Sequence, residues 1–179
     1  MAVFISAGHH LKDPGAPGVN GRKEADEATK FRNAVVKYLE PTGAKIITDN
    51  DNETLAQYLA RIQSGDGSVV VEFHFDAFNG IASGTTALVG NDADRLDKMF
   101  AKELVTATST ILGIMNRGVK SEKDSHRGKL ALMREQGIVS LLEICFIDNK
   151  NDMESFDKNF FTLASEISKI IEKFEKLIP

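Results

Sequence analysis

The stretch Val69-Val70-Val71-Glu72-Phe73-His74-Phe75-Asp76 decides the fold, because it is an apolar run that carries polar side chains towards its end. Alternation with a period of two places Glu72, His74 and Asp76 on one face of a strand. The apolar start predicts a strand over 69–75 that lies inside a sheet. Polar groups on a buried face are costly unless they serve a site, whereas an edge strand would expose them to solvent.

Short strand-like runs alternate with helical patterns along the rest of the chain. Apolar residues at the helical period predict helices over 24–39, 53–63, 94–112 and 155–178, with Asn52 as the N-cap of the second. Further strands are predicted over 3–7, 44–48, 85–89, 130–133 and 139–146. This order predicts an α/β fold of three layers, in which a mostly parallel (mixed) sheet of about six strands is flanked by helices. The 179 residues are expected to form a single domain, 1–179.

Composition excludes several classes of protein. The 22 basic and 26 acidic residues give a net charge of −4, so we expect no nucleic-acid partner. No apolar run approaches the roughly 20 residues that a membrane span needs. The start, Met-Ala-Val-Phe-Ile-Ser, has no basic segment and does not resemble a signal peptide. The single cysteine, Cys145, excludes an internal disulfide and a cysteine-rich metal cluster, and is interpreted as a buried apolar residue rather than a nucleophile.

Three side chains that suit a metal ion fall at strand ends or helix starts. His9 follows the first strand, Glu24 opens the first helix after a glycine-rich loop, and His74 lies near the end of the third strand. Functional surfaces of such folds lie beyond the carboxyl ends of the strands. Two histidines and a carboxylate can hold a catalytic Zn²⁺ with one position open, so we predict one Zn²⁺ bound by these residues. Alternatively, His9 is a turn residue and Glu24 a helix-start acid.

A further carboxylate, Glu143, lies in the apolar run Ser140-Leu-Leu-Glu-Ile-Cys-Phe146. A carboxylate in such a run is paired, protonated or catalytic. Beside an open Zn²⁺ its natural role is that of general base. No role is evident for His10 or His126, which we interpret as loop residues.

Five short motifs in this order resemble the amidase-3 family of zinc-dependent N-acetylmuramoyl-L-alanine amidases, and within it the catalytic domains of phage endolysins. The resemblance runs from about residue 3 to the final helix. The motifs are Ile5-Ser-Ala-Gly-His9, Gly21-Arg-Lys-Glu24, His74-Phe-Asp-Ala77 followed by Asn79-Gly-Ile-Ala-Ser-Gly84, Arg117-Gly-Val-Lys120 before Leu130-Ala-Leu-Met-Arg134, and Leu142-Glu143-Ile-Cys-Phe146 with Asn149.

The resemblance implies a hydrolase that cleaves the amide between the lactyl group of N-acetylmuramic acid and the L-alanine of the stem peptide. It implies His9, Glu24 and His74 as zinc ligands, with Glu143 catalytic. Glu72 and Asp76 stand where the family more often has serine and asparagine. Together with Asn79, these two residues are expected to support a ligand histidine or to line the substrate groove.

The expected partner is peptidoglycan, and we expect a monomer. The missing signal peptide fits synthesis in the cytoplasm and action on the cell wall, during phage lysis or mother-cell lysis. It also fits a catalytic domain from a longer chain with a C-terminal wall-binding domain. Two other classes stay open: a cell-wall binding module without turnover, and a zinc carboxypeptidase acting on peptides.

Overall fold

A six-stranded mixed sheet forms the centre of the computed structural model, which describes residues 2–125 and 128–177. The strand order is β2-β1-β3-β6-β4-β5. The strands β2, β1, β3 and β6 run parallel, while β4 is antiparallel to β6 and β5 is parallel to β4. The strands are β1 (Ala2–Ala7), β2 (Ile46–Thr48), β3 (Ser68–Asp76), β4 (Thr85–Val89), β5 (Asn116–Ser121) and β6 (Ile138–Phe146). The helices are α1 (Glu24–Leu39), α2 (Leu55–Arg61), α3 (Arg95–Leu112) and α4 (Lys150–Glu175).

The helices cover the sheet unequally, which produces the three predicted layers. The main core lies between the sheet and α1, α3 and α4, and includes Phe31, Phe73 and Phe156. A smaller core on the other face contains Phe4 and Tyr58, the latter from α2. The α/β class and the mixed, mostly parallel sheet are therefore confirmed. Because β3 lies between β1 and β6, the edge-strand alternative for His74 is excluded.

One predicted strand does not form, and another segment takes its place in the sheet. Residues 130–133 were expected to form a strand, but Ala131–Arg134 is a 3-10 helix whose Leu132 and Met133 pack into the smaller core. The remaining strand of the sheet is β5, Asn116-Arg-Gly-Val-Lys-Ser121, which lies at the edge of the sheet. An edge strand needs only one apolar face and is partly solvated, so its sequence lacks the apolar run on which the prediction relied.

Two helix starts also differ from the prediction. The second helix begins at Leu55, with Thr54 rather than Asn52 as its N-cap in a capping box with Gln57. The last helix begins at Lys150 rather than Ser155, because the Asn149 side chain accepts hydrogen bonds from the amides of its first turn. It ends at Glu175, before the predicted end at residue 178, which lies outside the described residues. Within 2–125 and 128–177, none of the helices has the length and apolar character that crossing a membrane requires.

Candidate metal centre

Three side chains from separate elements converge at the carboxyl ends of β1 and β3. One ligand atom from each of His9, Glu24 and His74 lies within 4.8 Å of the other two. Glu24 Oε2 is 3.1 Å from His9 Nε2, and Glu24 Oε1 is 2.9 Å from His74 Nδ1. Ligands about 2.1 Å from a tetrahedral ion lie about 3.4 Å apart, so this cluster has the dimensions and the chemistry of a zinc site.

Close packing of β1 against β3 positions the two histidines. The Gly8 amide donates to the Phe73 carbonyl at 2.7 Å, which ties the end of β1 to β3. A Cβ atom on Gly8 would lie 2.4 Å from the His74 ring, so only glycine leaves room for that ring. His9 follows with a φ of 65°, a left-handed conformation uncommon for a residue other than glycine. This strained turn directs His9 back towards His74, whose ring centroid lies 5.3 Å away.

The glycine-rich loop before α1 encloses Glu24. The Ala16 amide donates to Glu24 Oε2 at 2.9 Å, and the Phe75 amide donates to Oε1 at 3.1 Å. Gly15 has a φ of 67°, and a Cβ atom there would lie 2.8 Å from Glu24 Oε2. The carboxylate is 1% exposed, and both of its oxygens are held in place. Glu24 therefore does more than favour the start of the helix.

Two further carboxylates contact the outer nitrogens of the histidines. Asp13 Oδ2 lies 2.9 Å from His9 Nδ1, and Glu72 Oε1 lies 3.3 Å from His74 Nε2. Such a partner fixes the tautomer of a ligand histidine and turns its other nitrogen towards the metal. The sequence predicts Glu72 either in this place or in the substrate groove. The sequence reasoning missed Asp13, whose one signal is a carboxylate four residues after His9 in the same loop.

The surrounding carboxylates shift the pKa values of the cluster. The hydrogen bond with Glu24 raises the pKa of His9. Burial alone would lower the pKa of His74, but the charge of Glu72 and the hydrogen bond with Glu24 raise it above its usual value. Burial likewise opposes ionisation of Glu24, yet hydrogen bonds with both histidines hold its pKa well below the usual range. The site therefore favours a positive charge, which a metal ion supplies.

Glu143 lies beside this cluster on the neighbouring strand. Its Cα pairs in register with that of His74, and its side chain is 3% exposed. Glu143 lines a cavity of about 490 Å³, while His9 and His74 line a second one of about 320 Å³. The charge of Glu143 also contributes to the raised pKa of His74. Glu143 thus lies one strand away from His74 and lines open space that a substrate could occupy.

The other predicted residues divide between the cavities and the surrounding structure. Asp76 lines the cavity of Glu143. Asn79 is exposed, and its Oδ1 accepts hydrogen bonds from the Ile81 and Ala82 amides, so it shapes the loop after β3. His10 lines the cavity of His9, and His126 lies outside the described residues. Cys145 is fully buried in the main core, where burial raises the pKa of its thiol.

The fold and the site define an α/β protein with a two-histidine, one-glutamate cluster that could hold a metal ion, and comparison with known proteins gives its family. The chain belongs to the Amidase_3 family, N-acetylmuramoyl-L-alanine amidase, which it matches over residues 3–173. It is 26% identical over 186 residues to probable autolysin PH of Staphylococcus aureus (strain NCTC 8325 / PS 47), covering 88% of this chain. The chain spans 35% of the length of that autolysin.

Two solved structures with the same fold are an amidase and the catalytic domain of an endolysin. The N-acetylmuramoyl-L-alanine amidase from Clostridium difficile 630 gives a TM-score of 0.82 at 20% identity, covering 98% of this chain and 96% of that one. The catalytic domain of the CD27L endolysin targeting Clostridia Difficile gives 0.77 at 22% identity, covering 97% of both chains. At these identities the likeness establishes the shared fold.

Proposed function

We propose that this chain is a zinc-dependent N-acetylmuramoyl-L-alanine amidase that separates the stem peptide from the glycan of peptidoglycan. The observation that carries the proposal is the convergence of His9, Glu24 and His74 donor atoms within 4.8 Å, beside a buried Glu143. Family membership supports the choice of amide. The proposed metal ligands are those three residues, and the proposed general base is Glu143.

The proposed mechanism divides the work between the centre and Glu143. A zinc ion, when bound, polarises a carbonyl group and lowers the pKa of water to near 7. Glu143 accepts a proton from the water molecule whose oxygen bonds to the lactyl carbonyl carbon. The same carboxyl group then delivers that proton to the alanine nitrogen as the C–N bond breaks. The products are a lactyl carboxylate and a free alanine amine.

Asp13 and Glu72 act through the histidines. Each lies against the outer ring nitrogen of its histidine and would accept a hydrogen bond from it, so the inner nitrogen, which donates to Glu24 before a metal binds, can give up its proton to bind the metal. Glu24 is kept ionised by its hydrogen bonds with both rings and with the Ala16 and Phe75 amides. The chain thereby supplies two neutral nitrogens and one anionic oxygen, which is the donor set that zinc hydrolases use.

The test is the chemistry of the new chain ends after the zinc-loaded protein digests purified peptidoglycan. Labelling of new amino termini should identify alanine. A different amino-terminal residue would indicate a peptidase, new reducing sugars would indicate a glycosidase, and binding without new ends would indicate a wall-binding module. Any of these three results would contradict the proposed amidase activity.

The role of Glu143 has its own test. Glu143→Gln should keep one zinc ion and lose at least about 100-fold in kcat, because removal of a general base costs this much or more. Glu27→Gln is the matched control, since Glu27 is a buried carboxylate on α1 that lines neither cavity. Normal turnover in Glu143→Gln would remove Glu143 from the mechanism.

A further inference from the structure

We propose that Arg117 and Lys120 of β5 form a subsite for a carboxylate of the stem peptide, about two residues beyond the amide that is cleaved. The inference rests on the proposed function, and it specifies which peptides the site prefers. The ligand class is an acidic peptide attached through its amino terminus to the lactyl group.

The sheet places both cations in the same cavity as the proposed general base. Glu143, Arg117 and Lys120 all line the cavity of about 490 Å³. Across the sheet, Glu143 pairs with Thr86 of β4, and Leu88 pairs with Lys120 of β5. Alternation puts Thr86 and Leu88 on one face of β4, so Lys120 faces the same side as Glu143.

The distance from Glu143 to the cations of β5 matches the length of a peptide of two residues. Two strand spacings of about 4.8 Å separate β6 from β5, so the backbone carrying the cations lies about 10 Å from that of Glu143. An extended peptide advances about 3.5 Å per residue, which puts the second residue of a stem peptide about 7 Å beyond the scissile bond. The long side chains of Arg117 and Lys120 cover the remaining distance.

Both cations are available for a ligand. Among the residues that the structure describes, neither Arg117 nor Lys120 forms an ion pair with a carboxylate. The Arg117 guanidinium lies over the Phe146 ring, 5.2 Å from its centroid, and Nη1 is 3.4 Å from the Ser83 carbonyl oxygen. These contacts hold the guanidinium at the wall of the cavity, where it can bind a carboxylate with little loss of side-chain entropy.

The distribution of charge gives the cavity a direction. Asp76 and Glu143 line it at the β3–β6 side, next to the metal centre, while the cations line it at β5. Glu122, the acid nearest in sequence to Lys120, accepts hydrogen bonds from Asn91 Nδ2 and the Leu130 amide. Asp124 also lines the cavity at this end, where it accepts a hydrogen bond from Ser121 Oγ at 2.7 Å, so two cations there face one acid. A substrate with its scissile amide at the metal centre and an anion further along the peptide is complementary to this arrangement.

The experiment compares two ligands that differ in one group. N-acetylmuramoyl-L-alanyl-D-glutamate carries a free α-carboxylate on its second residue, and the D-isoglutamine analogue carries a neutral amide there. Cleavage of both by the zinc-loaded protein is followed at neutral pH. Calorimetry with the corresponding free dipeptides measures binding independently of turnover.

The wild-type protein should prefer the acid by about tenfold in kcat/KM, mainly through KM, and should bind the acidic dipeptide more tightly. Lys120→Gln should remove most of this preference, and the Lys120→Gln/Arg117→Gln double variant should remove all of it, while both still cleave the amide substrate. Lys120→Arg should restore the preference. Lys102→Gln is the control, because Lys102 is exposed on α3, away from the cavity.

If the wild-type protein cleaves the acid and the amide equally well and binds the two dipeptides equally tightly, the inference is overturned and the amidase proposal still stands. An equal loss on both ligands in Lys120→Gln would show a structural role and would also overturn it. Cleavage of neither ligand, together with tighter binding of the acidic dipeptide that Lys120→Gln abolishes, would support the subsite and count against the amidase.

Discussion

Replacement of Gly8 by alanine should damage the proposed metal centre without direct change to any proposed ligand. The new Cβ atom would lie 2.4 Å from His74 Nδ1 and Cε1, where ordinary contacts begin at 3.4 Å. The ring must therefore retreat by about 3.4 − 2.4 = 1.0 Å. Metal–ligand distances tolerate a change of only about 0.2 Å, so His74 would either no longer bind the zinc ion or bind it in a distorted geometry.

The expected result is a loss of at least about 100-fold in zinc affinity. This is the upper end of the loss that follows mutation of residues that support metal ligands. The assay is competition with a chromophoric chelator, accompanied by thermal unfolding to establish that the variant is folded. Gly65→Ala is the matched control, because a Cβ atom there has no neighbour within 4 Å. A folded Gly8→Ala protein that binds zinc within threefold of wild type would refute the steric reasoning.

Two further predictions concern groups close to the site. Asp13→Asn and Glu72→Gln should each weaken zinc binding by about 10- to 100-fold, because each weakens the contact that orients a proposed ligand histidine. Isothermal titration with zinc would measure the change, and unchanged affinity in both variants would contradict the role given to them. Cys145 should resist a thiol-specific reagent in the native protein and react only on unfolding, because it is fully buried and burial raises the pKa of its thiol; rapid labelling of the native protein would contradict its placement in the core.

The sequence predicted the interior of the sheet better than its margins. Strands β3 and β6 are buried on both faces, so their apolar runs identify them, and the polar residues within those runs mark the site. Strand β5 lies at the edge of the sheet and has no comparable run. The helix starts at Leu55 and Lys150 depend on which nearby polar side chain caps them, and several residues in each segment could have done so.

The candidate site was likewise predicted only in part from the sequence. The positions of His9, Glu24 and His74 after strands or at a helix start were enough to predict that they meet, because parallel strands share an edge. That they bind zinc stays a prediction. Asp13 and the cations of β5 could not be found in this way, since the first lies in a loop and the others on a strand that the apolar pattern did not reveal. Only the folded chain shows what these residues face.

Zinc content tests the central claim most directly. Wild-type protein, loaded with zinc and freed of excess by gel filtration, should contain about one zinc ion per chain by elemental analysis. His74→Ala, which removes one of the three proposed ligands, should contain almost none, while His10→Ala should match wild type, since His10 lies in the same cavity outside the ligand cluster. Equal zinc in wild type and His74→Ala would contradict the assignment of this centre.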